Sequence, residues 1–201
     1  SGDNDFDALI ECVSATGKPV VISTGFASTQ YVIDLHERLR RTGIDHALLH
    51  CVGAYPVPFE QATLATISEL RGAVQAPIGY SDHTIGNQAC IVACALGAKI
   101  VEKHLTLSHS FSDYRDHQLS AEPEEFADLR RSIDAVWQLI GTPRAGLMPA
   151  EEENRRAVRR SLVAARSIEE GDVVTTDDCG LGFDRWEKGD ARHSGRFPFL
   201  A

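Results

Sequence analysis

Two short strings decide the fold: Gly79-Tyr80-Ser81-Asp82-His83-Thr84 and Ile100-Val101-Glu102-Lys103-His104. Each places polar residues where an apolar run ends, after Ala76-Pro77-Ile78 in the first case and Ala98-Lys99-Ile100-Val101 in the second. Between them lies one helix-sized stretch, 85–97. The pattern reads strand, helix, strand, with chemistry at the carboxyl end of each strand. In a (β/α) barrel those ends share the face on which active sites are built. His83 and His104 then sit on neighbouring strands, close enough to hold one metal ion.

The same rhythm extends outward. Phe6, Leu9, Ile10 and Val13 have helical spacing, which ends at Gly17. Pro19-Val20-Val21-Ile22 reads as a buried strand ending in Ser23-Thr24-Gly25. Ser28 caps a helix carrying Val32, Leu35 and Leu39, which Gly43 closes. Ala47-Leu48-Leu49 is the next strand, ending in His50-Cys51. A loop with Tyr55, Pro56 and Pro58 leads to a helix bearing Leu64, Ile67 and Leu70. After Lys103, residues 105–121 read as a long polar loop. A helix then runs from Glu122 to Ile140, with Phe126, Leu129, Ile133 and Trp137 expected to face inward.

Short apolar strands alternating with helices mean parallel β/α units. Four such strands are half of the eight in a closed barrel, which needs about 250 residues. The expected fold class is therefore α/β, the second half of a TIM (β/α)8 barrel over residues 1–141. An open doubly wound sheet is the alternative. No G-x-G-x-x-G follows any strand, which weakens a dinucleotide-binding reading. The pattern changes after Gly141: residues 142–157 read as a linker, in which 151–156 is a short charged helix or turn. Residues 158–201 read as the start of a small β-rich module. There 160–165 alternates like a strand, and 168–174 reads as a turn joining one apolar strand to the next. The tail from Asp184 is polar and without period.

Composition narrows the partners. The chain has 201 residues and a net charge of −9, which argues against a general nucleic-acid binder because phosphate backbones need Lys and Arg footprints. No apolar run approaches the ~20 residues of a membrane span, and no signal peptide is read at the start. The five cysteines show no paired spacing and are expected to be reduced thiols in a cytoplasmic protein. For Cys90 and Cys94, four apart on an apolar helix, small buried side chains outweigh a metal pair. The opening at Ser1 rather than Met reads as a piece of a longer polypeptide.

Several motifs together resemble the sialic acid (N-acetylneuraminate) synthase family, which includes legionaminic and pseudaminic acid synthases and spore-coat polysaccharide relatives. They are Ser1-Gly2-Asp3, Gly17-Lys18-Pro19 with Ser23-Thr24-Gly25, His50-Cys51 with Tyr55-Pro56, and the two strings quoted first. Asp116-His117 with Ser120 follows, and 154–165 resembles the approach to the family's antifreeze-like (SAF) domain. The resemblance implies condensation of phosphoenolpyruvate with an N-acetylated amino sugar, releasing phosphate, on a TIM barrel followed by a SAF domain. It also implies a divalent metal, manganese or magnesium, and a homodimeric full-length parent.

Residue by residue, His83 and His104 match metal ligands, and Glu102 matches an active-site carboxylate that orients substrate or manages a proton. Ser1, Ser23 and Ser81 match positions contacting phosphate and carboxylate. Tyr55 and Asp116 match substrate-contacting and catalytic positions. The chain departs from the family's pattern at Gly53, where asparagine is common, and at Arg115, where proline is common. Asp82 reads first as a loop cap. Lys103 lies between two site residues but points to the opposite strand face, so a structural role is as strong a reading of it as a site role. His36, His109 and His193 are expected at the surface. Two other readings stay open at this point: a catalytically incompetent half-barrel, and a metal-dependent barrel hydrolase.

Overall fold

A computed structural model describes residues 2–183. It divides after Gly141 into two units. In the first, α1 (Asp7–Ser14) precedes β1 (Val20–Ser23), α2 (Thr29–Thr42), β2 (His46–Cys51), α3 (Ala65–Ala73) and β3 (Ile78–Asp82). Then come α4 (Gln88–Ala95), β4 (Val101–Lys103), α5 (Arg115–Leu119) and α6 (Pro123–Ile140). The strands form one four-stranded sheet in the order β1-β2-β3-β4, every pair parallel.

Local chemistry sets the element ends. Ser28 accepts a hydrogen bond from the Tyr31 amide at 3.2 Å to start α2, and Gly43 closes it at φ 75°. Val32, Leu35, His36 and Leu39 form the buried stripe of that helix. Small residues let α4 sit close on the sheet: Ala89, Cys90, Ala93 and Cys94 are all buried. All five cysteines are free thiols. Pro123 opens α6, where Glu122 and Glu125 form a capping box. β2 and β3, the central strands, are almost wholly buried, whereas the edge strands β1 and β4 are not.

Three expectations about this unit need correction. His36, expected at the surface, is buried in the stripe of α2, with its Nδ1 2.9 Å from Nε2 of His46. Of the four residues expected to point inward from α6, Leu129 is buried and Ile133 packs partly buried against the core, but Phe126 and Trp137 keep 40% and 38% of their surface exposed. They border a cleft of about 240 Å³ beside the short edge strand β4, where the Lys99 ammonium lies 4.5 Å from the Trp137 ring. Residues 105–121 are not a plain loop: they hold a 3-10 turn at His109–Phe111 and helix α5. His109 is exposed as expected, 3.1 Å from Glu125.

The second unit contains α7 (Glu152–Val158) and an antiparallel pair, β5 (Arg160–Ala164) with β6 (Cys179–Phe183). The expected strand after the 168–174 turn starts only at Cys179. Val173 and Val174 are exposed, and the buried Asp178 carboxylate first gathers the Thr175 amide and hydroxyl and the Arg166 guanidinium. Ser1, His193 and the tail from Asp184 lie outside the described residues.

Candidate active site

Sheet register builds the site. Cys51, Ser81 and Glu102 are partners across β2, β3 and β4, so their side chains form one row on one face at the strand carboxyl ends. Ser81 Oγ donates to Glu102 Oε1 at 2.6 Å. Ser23, at the end of β1, donates to the same oxygen at 3.5 Å. In a flat sheet β1 and β4 would stand three spacings apart, about 14 Å. Side chains of those two strands meet only because the sheet curls, and the inner face of that curl carries the two serines and the carboxylate.

One residue beyond each strand stand His83 and His104. Their ring centroids are 5.3 Å apart, with the planes at 86°. The segment after β2 holds His83 twice: its backbone carbonyl accepts from the Val57 amide at 2.9 Å, and its Nδ1 lies 2.9 Å from the Val52 carbonyl. A carbonyl only accepts, so Nδ1 carries the proton and Nε2 keeps its lone pair. Burial pushes the His83 pKa down and the nearby His104 adds to this, while the Val52 bond pulls the other way; the net lowering favours the neutral imidazole. Cys51 Sγ lies 3.9 Å from the same ring nitrogen, and burial pushes that thiol up, so it too stays neutral.

Tyr55 completes the cluster. Its ring stacks on His83 at 4.0 Å and stands edge-on to His104 at 5.8 Å. The Arg115 guanidinium lies 5.3 Å from the same ring. Burial raises the Tyr55 pKa, with the Asp116 charge contributing, so Asp116 on α5 is close enough to be felt there. An adjoining cleft of about 450 Å³ is lined by Thr24, Phe26, His50, Cys51, Gly53 and Thr63. A side chain at Gly53 would collide with the Phe26 ring, so the missing asparagine side chain is the space this ring uses.

On the other face of the same strands, Asp82 and Lys103 are register partners and pair at 2.8 Å. The structural reading of Lys103 has this physical basis, and Asp82 caps its own loop by accepting from the Thr84 amide at 2.8 Å.

Seven of the eight residues expected from the sequence fall among the described residues. Ser23, Ser81, Glu102, His83, His104 and Tyr55 converge, and Asp116 stands beside Tyr55; Ser1 is outside the described residues. Sequence reasoning missed Cys51 and Arg115. Cys51 was signalled by its place at the end of β2, in the same row as Ser81, and Arg115 by its adjacency to Asp116. Among the described residues no group of three or more His, Cys, Asp or Glu side chains is arranged to hold a metal ion. A two-imidazole donor set, with a lone pair held available on His83, suits an open site whose other positions go to water and substrate oxygens.

Known proteins share the sequence and the fold of this chain. The NeuB family model matches residues 1–145. An uncharacterized protein of Methanocaldococcus jannaschii is 40% identical over 182 residues, 90% of this chain and 54% of that protein. Human N-acetylneuraminate-9-phosphate synthase is 35% identical over 178 residues, 88% of this chain and 49% of that enzyme. Other relatives are named N,N'-diacetyllegionaminic acid synthase and pseudaminic acid synthase. The crystal structure of a Leptospira borgpetersenii N-acetylneuraminic acid synthetase in complex with citrate matches with a TM-score of 0.71 at 31% identity, covering 79% of this chain and 56% of that one. The chain thus spans about half the length of the curated relatives it matches. No helix among the described residues is long and apolar enough to cross a membrane. With its parallel half-barrel sheet and its matching sequence, the chain belongs to the NeuB family.

Proposed function

We propose that this chain supplies one wall of the active site of a nonulosonic acid synthase, which condenses phosphoenolpyruvate with an N-acetylated amino sugar and releases phosphate. The convergence of Ser23, Ser81 and Glu102 with His83, His104 and Tyr55 on the inner face of the curled sheet carries this reading. Family membership of the chain supplies the reaction class.

In this reading the enol carbon of phosphoenolpyruvate attacks the sugar aldehyde, whose oxygen takes up a proton to become a hydroxyl; a water adds to the carbon that bears the phosphate, and phosphate leaves to give the 2-keto acid. A divalent cation, manganese or magnesium, held by His83 and His104 supplies Lewis acidity at the aldehyde oxygen when bound. Glu102 holds or moves a proton at the reacting carbons, and its position is set by the hydroxyls of Ser81 and Ser23. The same hydroxyls face the carboxylate and phosphate of phosphoenolpyruvate. The neutral Tyr55 phenol and the Asp116 carboxylate bind sugar hydroxyls. Residues 1–141 form the second half of the barrel, and residues from 158 begin a SAF module in a homodimeric parent. The free cysteines suit a cytoplasmic setting.

The test uses the full-length enzyme that carries this chain. Phosphate release from phosphoenolpyruvate is expected only when an N-acetylated hexosamine is present, and is expected to disappear in His83→Ala. Phosphate release without the sugar, or full activity in His83→Ala, overturns the reading.

A further inference from the structure

Behind the candidate site, Asp82 and Lys103 form a closed polar network on the outer face of β3 and β4. Their side chains are 0% and 1% exposed. Asp82 Oδ1 accepts from the Tyr80 hydroxyl at 3.1 Å and the Thr84 amide at 2.8 Å. Asp82 Oδ2 accepts from the Cys90 thiol at 3.1 Å and from Lys103 Nζ at 2.8 Å. Lys103 Nζ also donates to the Thr84 carbonyl at 2.6 Å. Thr84 is therefore gripped at its amide by one partner and at its carbonyl by the other.

The position of this network matters more than its strength. His83 lies between Asp82 and Thr84, both of which the network fixes, and His104 directly follows Lys103. The pair is thus a crosslink between the two segments that carry the imidazoles. Replacing a buried ion pair by apolar residues of similar volume often leaves stability unchanged or raises it, so stability alone does not call for charges here. Partners outside the ligand set that orient metal-binding side chains are a recurrent device in metal sites.

We infer that the buried Asp82–Lys103 pair is a positioning device that sets the spacing and aim of His83 and His104. The inference rests on the reading of those histidines as ligands of one cation. Neither Asp82 nor Lys103 touches substrate; both act through the backbone.

The experiment titrates the full-length protein with Mn2+ alone, by calorimetry or by the electron paramagnetic resonance of free Mn2+. It compares wild type, His83→Ala, and the neutralised double variant Asp82→Asn/Lys103→Met. Leu39→Ala, in the buried stripe of α2, serves as a variant destabilised away from both the site and the Asp82–Lys103 pair. The double variant is expected to bind Mn2+ about tenfold or more weakly, while Leu39→Ala keeps wild-type affinity. A folded double variant that keeps wild-type affinity overturns the inference, as does equal weakening in Leu39→Ala. Should the double variant fail to fold, Tyr80→Phe removes one hydrogen bond to Asp82 and leaves the charges in place. Its expected loss is smaller, roughly threefold, because Asp82 keeps its bonds from Thr84, Cys90 and Lys103, and unchanged affinity there is equally decisive against the inference. Mn2+ binding that His83→Ala leaves intact overturns the metal-site reading itself, a result distinct from the others.

Discussion

Ser81 Oγ and Glu102 Oε1 are 2.6 Å apart, joined across the β3–β4 register, and Ser23 reaches the same oxygen from the far edge strand. A carboxylate held by hydroxyls from two strands has a fixed orientation before any substrate arrives. If Glu102 moves a proton, Glu102→Gln lowers kcat of the full-length synthase by about 10²-fold or more, the usual range for a general acid or base. Ser81→Ala leaves the carboxylate present but less constrained, so it lowers kcat by a smaller factor. Steady-state phosphate release measures both.

Lys103→Met leaves the buried Asp82 carboxylate without its counter-charge. It is expected to destabilise the protein by about 3–5 kcal/mol, whereas the neutral pair Asp82→Asn/Lys103→Met stays within about 1 kcal/mol of wild type. Urea unfolding of the three proteins measures this. Equal losses for the single and double variants would contradict the pairing.

Gly79 faces Leu49 across the β2–β3 register, and a Cβ there would sit 2.5 Å from the Ile100 carbonyl oxygen and against the Leu49 side chain. Backbone of a neighbouring strand gives way poorly. Gly79→Ala is therefore expected to cost roughly 1–3 kcal/mol, read from the urea midpoint.

Acid should destabilise the fold through its buried histidines. His46 Nδ1 donates to the Ile44 carbonyl, so its Nε2 accepts from His36 Nδ1, which holds the buried His36 ring in place. Burial, followed by His46, lowers the His36 pKa below 6.5, and burial also lowers those of His50 and His83. Below pH 6.5 the unfolded chain then binds protons that the native chain does not. Stability is flat above that pH and falls below it, by up to about 1.4 kcal/mol per pH unit for each such histidine. Urea midpoints between pH 8 and pH 5 measure the trend, and His36→Gln should flatten it.

Much of the fold was legible because simple rules act locally. Ser28 and Gly43 bracket α2 through cap chemistry, and apolar runs mark the cores of β1, β2 and β3. Strand ends were less legible: β2 runs on through His50 and Cys51 because parallel pairing, not residue polarity, sets its length. Helix α5 is five residues long, too short to show a period. His36 was misplaced because residue type suggested solvent, while its position beside Leu35 and Leu39 on the buried stripe of α2 decided the outcome. At the site, strand alternation alone separates Lys103 from Glu102. The approach of Arg115 to Tyr55 depends on how a segment some sixty residues later in the chain folds back, which no local pattern encodes.

The most direct test of the site is metal stoichiometry in the full-length protein, measured as bound Mn2+ per chain for wild type, His83→Ala and His104→Ala. The expected result is one ion per chain in wild type, lost in each single variant. Undiminished binding in both variants, or no binding in wild type, would contradict a cation shared between these two imidazoles.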